Sequence, residues 1–271
     1  MNIALFTDTY PPFINGVSTS CYNLALILKR NGHNVLVICP RPDDGPFEFI
    51  DGVIRLPGVE MKKLYGYRLT KFFDTKVMRI LRDFKPDIIH NQTDSTIGVF
   101  AKIASKQLNV PIVYTYHTAY EDYTYYAAKG LFERFAKRFV RFYSREVAKN
   151  ADEFITPSEK TMDYMRAIGS DVYMNIIPTG IDFSIFADDK VDIKRSEEFK
   201  AKYGIKENTK VFLVLGRIAK EKSMDVSVKG FAYYIKRNPN IDARMIVVGD
   251  GPYRFDLEKL TVELGINEKV I

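Results

Sequence analysis

Short apolar runs alternate with longer segments of helical periodicity from residue 2 to residue 168. The runs at residues 2–6, 34–38, 53–56, 87–90, 112–115 and 153–156 predict buried strands. Between them, apolar residues recur every three or four positions, which predicts helices at residues 18–30, 69–84, 96–108, 131–149 and 158–168. Strands that alternate with helices indicate right-handed βαβ units and a mostly parallel, doubly wound sheet.

A second α/β series follows residue 178. Its predicted strands are at 210–215 and 243–248, its helices at 224–236 and 253–264, and the polar segment 186–198 is typical of a surface crossing. The pattern predicts two Rossmann-like α/β domains, at residues 1–177 and 178–271. Val270 and Ile271 follow a turn in the way that earlier units enter a strand. The second series has too few units for a sheet that is covered on both faces, so we expect this domain to be truncated here.

The composition is that of a globular protein, with 46% hydrophobic residues among 271. No apolar run approaches the ~18 residues of a membrane-spanning helix, and the amino terminus lacks the basic lead-in of a signal peptide. Cys21 and Cys39 are the two cysteines; they exclude a disulfide framework and lack metal-type spacing. We therefore expect a cytoplasmic protein without a bound metal.

The positive charge is concentrated in one segment. The net charge is +6, and residues 127–150 hold seven lysines and arginines against two glutamates. The predicted helix 131–149 carries aromatic residues along one side. Its remaining positions include Arg134, Lys137, Arg138, Arg141 and Arg145.

A helix of this kind suits the surface of an anionic bilayer, where each basic residue adds ~1 kcal/mol. Tyr123 and Tyr126, just upstream, suit a membrane interface, because a tyrosine can bury its apolar ring while its hydroxyl stays hydrated. The alternative is a helix packed on the core with a solvated basic face.

Three loops that follow predicted strands could bind an anionic ligand, because ligands of open α/β sheets lie beyond the carboxyl ends of the strands. Gly16 lets the backbone approach a ligand just before a helix N-terminus, although Ser18 could simply be an N-cap. Arg217 and Lys222 would converge on a diphosphate, unless they belong to a solvated basic loop. In the third loop, Gly249 and Gly251 could admit a nucleotide, but they lack the spacing of a dinucleotide fingerprint.

His117 follows the predicted strand 112–115 and has carboxylates and phenols nearby in the sequence. A single histidine is often structural, but its place at a strand end raises the case for a functional role. Neither His33 nor His90 makes a metal cluster with it.

The order of these motifs resembles that of family 4 retaining glycosyltransferases. The shared segments are Asn15-Gly16-Val17, His117, Pro178-Thr179-Gly180-Ile181-Asp182, Gly216-Arg217 with Glu221-Lys222, and Gly249-Asp250-Gly251-Pro252. The resemblance implies a GT-B fold, in which two Rossmann-like domains bind a nucleotide sugar. The stretch 117–123, with Lys129-Gly130, is similar more narrowly to bacterial diacylglycerol glucosyltransferases.

The resemblance also implies roles for these residues. Gly16, Val17, Gly249 and Gly251 would contact the donor, Arg217 and Lys222 would neutralise its diphosphate, and His117 would face the donor sugar. The family needs no protein nucleophile, no metal and no tightly bound cofactor, and its substrate here would be a UDP-sugar such as UDP-glucose. The family's Glu-x7-Glu motif is absent, since the glutamates after Gly251 are spaced by five. We therefore expect this segment by itself to be inactive.

These features predict a retaining hexosyltransferase that moves glucose from a UDP-sugar to diacylglycerol or a related lipid. It would act in the cytoplasm, at the inner face of the cell membrane, through peripheral contact with an anionic surface. A soluble sugar or sugar-phosphate acceptor is the main alternative. A basic nucleic-acid-binding module lacks a recognised motif, so we expect no nucleic-acid partner. A GT-B epimerase would share the fold but not explain the ordered motifs.

Overall fold

A computed structural model describes residues 1–61, 67–117 and 131–271. The chain divides into two compact units, Met1–Asp182 and Phe183–Ile271. The division lies slightly after the predicted boundary at 177/178, because the segment that follows the last strand of the first sheet still belongs to the first unit.

The first unit contains a doubly wound α/β sheet. Its strands are β1 (Asn2–Phe6), β2 (Asn34–Pro40), β3 (Glu48–Ile50), β4 (Val53–Leu56), β5 (Gly58–Met61), β6 (Tyr67–Thr70), β7 (Ile88–Asn91), β8 (Ile112–Thr115), β9 (Glu153–Thr156) and β10 (Asn175–Ile176). Its helices are α1 (Gly16–Arg30), α2 (Thr75–Phe84), α3 (Thr96–Leu108), α4 (Leu131–Lys149) and α5 (Glu159–Ala167).

Within the described residues, eight strands form one sheet in the order β10-β9-β8-β7-β1-β2-β4-β3. All neighbours are parallel except the edge pair β3 and β4. The chain runs outward from β1 through β2 and β4, then returns to β7 on the other side of β1. The order of the strands thus reverses between β1 and β7, which is where doubly wound sheets bind ligands.

Both faces of this sheet are covered, which explains why its strands read as unbroken apolar runs. In β1, Ala4 and Phe6 pack into a core cluster that includes residues of α2 and α3. Ile3 and Leu5, on the opposite face, pack against Cys21 of α1.

The predicted start of the helix at residues 69–84 is wrong, because α2 begins at Thr75. Asp74 caps α2 through its Oδ1, which accepts hydrogen bonds from the backbone N–H groups of Lys76 at 2.8 Å and Val77 at 3.0 Å. The residues before it, Tyr67–Thr70, instead form β6, which pairs antiparallel with β5. Strands of four residues carry too little periodicity to stand out from a neighbouring helix.

The second unit contains α6 (Ile193–Lys202), β11 (Lys210–Leu215), α7 (Met224–Arg237), β12 (Ala243–Val248) and α8 (Arg254–Glu263). β11 and β12 are parallel. The end of the chain pairs with β12 through an isolated parallel bridge, in which the Ile271 N–H donates to the Met245 carbonyl at 2.8 Å, so the predicted further strand stays a prediction. The predicted surface crossing at 186–198 missed α6, which has no buried residue and hence no apolar stripe.

Candidate functional site

The polar residues that follow β1 and β7 meet at the carboxyl edge of the sheet. The Gln92 N–H donates to the Phe6 carbonyl at 2.9 Å, and the Asp8 N–H donates to Thr93 Oγ1 at 3.0 Å. The Ser95 hydroxyl donates to the Asp8 carboxylate. We call Asp8, Gln92, Thr93, Ser95 and His117 the switch-point cluster.

His117 joins the cluster from the end of β8. Its Nε2 lies 2.6 Å from Oε1 of Gln92, whose side chain is buried. His90 belongs to β7, and its Nε2 is 2.8 Å from Thr115 Oγ1 of β8. The predicted candidate His117 therefore lies at the carboxyl edge of the sheet, one strand from the reversal point, and its partner Gln92 directly follows the neighbouring strand β7.

Burial shifts the pKa of Asp8, Asp94 and His117 in the direction that favours the uncharged form of each. Desolvation raises the pKa of Asp8 to about 6, against hydrogen bonds from Ser95 and Thr93 that lower it. Desolvation likewise raises the pKa of Asp94 to about 7, against the opposing influence of the Tyr114 hydroxyl and the Lys102 ammonium. It lowers the pKa of His117 to about 4, so the imidazole is uncharged at neutral pH.

The loop between β1 and α1 presents a helix N-terminus beside this edge. Asn15 is the N-cap, and its Oδ1 accepts from the Ser18 N–H at 2.9 Å. The alternative in which Ser18 is the cap is therefore wrong. Gly16 is the first helical residue, and a Cβ placed on it would meet no atom of the described residues within 4 Å, its chain neighbours and the backbone of α1 apart. Packing among the described residues thus gives no reason for a glycine at this position.

The basic helix α4 contacts the same edge and exposes an aromatic stripe. The Tyr143 hydroxyl donates to the Asp94 carbonyl at 2.9 Å, and Val147 is buried in the core. By contrast, Phe135, Phe139 and Phe142 are 67%, 67% and 53% exposed. Core packing therefore accounts for the carboxyl-terminal part of the apolar side but not for these phenylalanines.

The predicted basic residues of α4 mostly lie on the surface. Arg134, Arg138, Arg141 and Arg145 are exposed, whereas Lys137 is half-buried. Tyr123, Tyr126 and the Lys129-Gly130 pair lie outside the described residues, so their predicted roles stay predictions.

The candidate donor loops of the second unit pack tightly on each other. Gly249 has a φ of +150°, and a Cβ there would lie 1.9 Å from the Gly216 carbonyl oxygen. A Cβ on Gly251 would lie 2.2 Å from the Ile218 carbonyl oxygen. The close approach of the two loops therefore explains both glycines, and their contact with a donor stays a prediction.

Arg217 and Lys222 follow β11, as predicted. Arg217 forms an ion pair with Glu221 one turn later, and Lys222 lies at the surface in a short 3-10 turn. Among the described residues, no group of three or more His, Cys, Asp or Glu side chains could hold a metal ion. No helix in the described ranges is long and apolar enough to cross a membrane.

Sequence reasoning missed Gln92, Thr93 and Ser95. The signal that could have found them is a run of polar residues directly after an apolar strand. This run contributes to the site only because β7 lies next to β1.

Comparison with known proteins places the chain in a family. The family model described as Glycosyltransferase Family 4 matches residues 14–184, and that described as Glycosyl transferases group 1 matches residues 195–271. The chain belongs to glycosyltransferase family 4. The predicted family is thus confirmed.

Two relatives carry the same name, alpha-monoglucosyldiacylglycerol synthase. The protein of Acholeplasma laidlawii is 37% identical over 266 residues, which cover 96% of this chain and 66% of the relative. That of Streptococcus pneumoniae is 33% identical over 271 residues, which cover 100% of this chain and 60% of the relative. The narrower resemblance to diacylglycerol glucosyltransferases is confirmed, and the chain spans less than two thirds of each relative.

A solved glycosyltransferase of Rickettsia africae ESF-5 shares the fold. It matches with a TM-score of 0.64 at 15% identity, over 100% of this chain and 67% of that chain. This likeness confirms the predicted GT-B type of fold for this family 4 chain.

Proposed function

We propose that this family 4 protein is a retaining transferase that moves glucose from UDP-glucose to the hydroxyl of diacylglycerol at an anionic membrane surface. In the reaction, the bond between the anomeric carbon and the diphosphate oxygen breaks. The acceptor oxygen attacks the same face of the sugar, and its proton passes to the leaving phosphate.

The observation that carries the lipid acceptor is the surface of α4. Phe135, Phe139 and Phe142 are spaced by four and three positions and expose more than half of each side chain. Exposed arginines flank them on the same helix. Large apolar side chains among arginines suit insertion into the headgroup region of an anionic bilayer.

The contact between α4 and the sheet edge supports the same proposal. Tyr143 bonds the Asp94 carbonyl, and Ser144 Oγ lies 3.2 Å from the hydroxyl of Tyr116, the residue before His117. A lipid held against α4 would therefore have its headgroup near the elements that carry the switch-point cluster. The names of the two relatives support a glucosyl group and a diacylglycerol acceptor.

The donor proposal is supported by the residues of both units. Gly16 starts a helix, and no other described element occupies the space beside its Cα, which suits a phosphate or sugar that approaches the backbone. Arg217 and Lys222 would stabilise the charge that develops on the leaving diphosphate.

Transfer of radiolabelled glucose from UDP-glucose by the full-length protein tests the proposal, and every kinetic measurement below uses that protein. Vesicles of phosphatidylglycerol that contain diacylglycerol should yield a labelled glycolipid with the α anomeric configuration. Matched vesicles without diacylglycerol are the control. Labelled soluble product from a free hexose or hexose phosphate, with none from diacylglycerol, would refute the lipid acceptor. A β-linked product would refute retention.

A further inference from the structure

We propose that Gln92 is a positioning residue that fixes the tautomer of His117, so that Nε2 carries the proton and Nδ1 accepts a hydrogen bond from a hexose hydroxyl. This inference rests on the proposed function for the identity of the ligand. The positioning itself can be tested without any transfer reaction.

The side chain of Gln92 is held where it can impose such a choice. Its backbone N–H is bonded to the Phe6 carbonyl of β1, and the next residue accepts the Asp8 N–H through Thr93 Oγ1. Gln92 is only 2% exposed. It is therefore anchored to two neighbouring strands, and its amide has little freedom to turn away from His117.

The contact determines which ring nitrogen bears the proton. The Gln92 Oε1 atom lies 2.6 Å from His117 Nε2, and an amide oxygen can only accept a hydrogen bond. An uncharged imidazole has one N–H, and burial keeps His117 uncharged at neutral pH. The N–H must therefore be on Nε2, which leaves a lone pair on Nδ1.

Stability of the fold does not by itself explain a glutamine here. The Nε2 atom of Gln92 is buried and has no hydrogen-bond partner among the described residues. A buried, unpaired donor is unfavourable, and an apolar side chain of similar size would avoid it. The hydrogen bond to His117 is therefore the interaction that accounts for a polar side chain at this buried position.

The consequence is a defined recognition chemistry. A neutral imidazole with a free lone pair accepts a hydrogen bond from a hydroxyl group, which a hexose offers at several positions. The opposite tautomer would present an N–H in its place and would favour an acceptor atom. Gln92 would thus act on the sugar only through His117.

Nitrogen-15 NMR of the imidazole rings tests the positioning directly, and the chain has only three histidines to assign. In the unmodified protein we expect His117 to show a single Nε2–H tautomer at pH 7. Gln92→Leu should convert this signal to a mixture of tautomers. Gln107→Leu, the same substitution at an exposed residue of α3, is the control and should leave it unchanged.

Gln92→Glu provides a second variant that keeps the acceptor. A carboxylate beside His117 should preserve the Nε2–H form and raise the pKa of the imidazole, because an opposite charge favours the protonated ring. His90, whose pKa is lowered by burial and by the nearby His117, is unchanged in the variant. If Gln92→Leu does not fold, an unchanged His117 titration in Gln92→Glu would still refute the inference.

Kinetics then connect the tautomer with the reaction. Gln92→Leu should lower kcat by up to ~10²-fold with little change in the KM for UDP-glucose, because misplacement of a catalytic group affects mainly the transition state. An Nδ1–H tautomer in the unmodified protein, or an unchanged spectrum in Gln92→Leu, would overturn the inference whatever the transferase assay shows. Correct tautomers together with no transfer to any lipid would refute the proposed function instead.

Discussion

At the scale of single residues, different constraints apply to the glycines of the candidate donor loops. Gly249 combines a positive φ with a backbone oxygen where its Cβ would lie, so this chain's own packing requires it. Gly16 has neither constraint. The contrast separates a glycine that shapes the fold from one that the described packing does not explain, as we expect if a ligand approaches the helix N-terminus.

Substitution by alanine should distinguish the two positions. Gly16→Ala should leave the free energy of unfolding unchanged or raise it by up to ~1 kcal/mol, since alanine restricts the unfolded chain. The same variant should lower kcat/KM for UDP-glucose by roughly 10²-fold, because the methyl group occupies the donor's approach. Gly249→Ala should instead lower the free energy of unfolding by about 1–3 kcal/mol or more.

Urea unfolding and steady-state kinetics on both variants are the measurements. Normal turnover by a stable Gly16→Ala protein would remove the donor role of this residue. It would leave the assignment of α1 and its Asn15 cap intact.

At the scale of secondary-structure elements, α4 combines several exposed arginines with three exposed phenylalanines. Its exposed phenylalanines and arginines lie on the helix that also bonds Asp94. α6 in the second unit is similarly rich in exposed basic residues but carries a single exposed phenylalanine, Phe199. The two helices therefore offer a matched pair for separating total charge from local surface.

Removal of four charges from α4 should weaken vesicle binding. Replacing Arg134, Arg138, Arg141 and Arg145 with glutamine should reduce binding to phosphatidylglycerol vesicles by up to ~4 kcal/mol, at ~1 kcal/mol per residue. Added salt should have the same effect on the unmodified protein, since exposed charges are screened within ~8 Å at physiological ionic strength. Co-sedimentation with vesicles measures both.

The control changes the same net charge elsewhere. Replacing Lys194, Arg195, Lys200 and Lys202 of α6 with glutamine should leave vesicle binding nearly unchanged. Equal losses in the two variants would mean that net charge, and not the surface of α4, drives the association. Unchanged binding in the α4 variant would make that helix ordinary scaffold.

Elements were predictable from sequence where burial leaves a strong pattern. β1, β2 and β8 are covered on both faces and read as continuous apolar runs, and α1 and α3 carry clear helical periods. The sequence pattern assigns β6 to the helix that follows it. It does not reveal α6, because α6 has no buried residue and therefore no apolar face. In each case the local pattern was too short or too uniformly polar to reveal an element that depends on partners elsewhere in the chain.

At the scale of the whole molecule, the order of the strands determines which residues meet. Asp8 and Thr93 are 85 positions apart and become hydrogen-bonded only because β7 lies beside β1. The position of His117 at the end of its own strand was enough to identify it as a candidate. Its partner Gln92 could not be identified in this way, because neither segment by itself shows that β7 pairs with β8. The candidate site was therefore predictable residue by residue but not as a cluster.

The division into two units makes one further expectation possible, because the proposed membrane and diphosphate contacts belong to different units. Arg217→Ala and Lys222→Ala should each lower turnover by ~10²–10³-fold, as expected for loss of one charge contact at a developing anion. Vesicle binding should not change in either variant. The four-glutamine α4 variant should behave in the opposite way, with weaker vesicle binding and an unchanged affinity for UDP.

Lys229→Ala, which removes an exposed lysine paired with Asp225, is the control for both assays. If the Arg217 and Lys222 variants turned over normally, the diphosphate assignment would fail. If they also lost vesicle binding, the two functions could not be assigned to separate units, and the membrane contact would have to involve residues after Asp182.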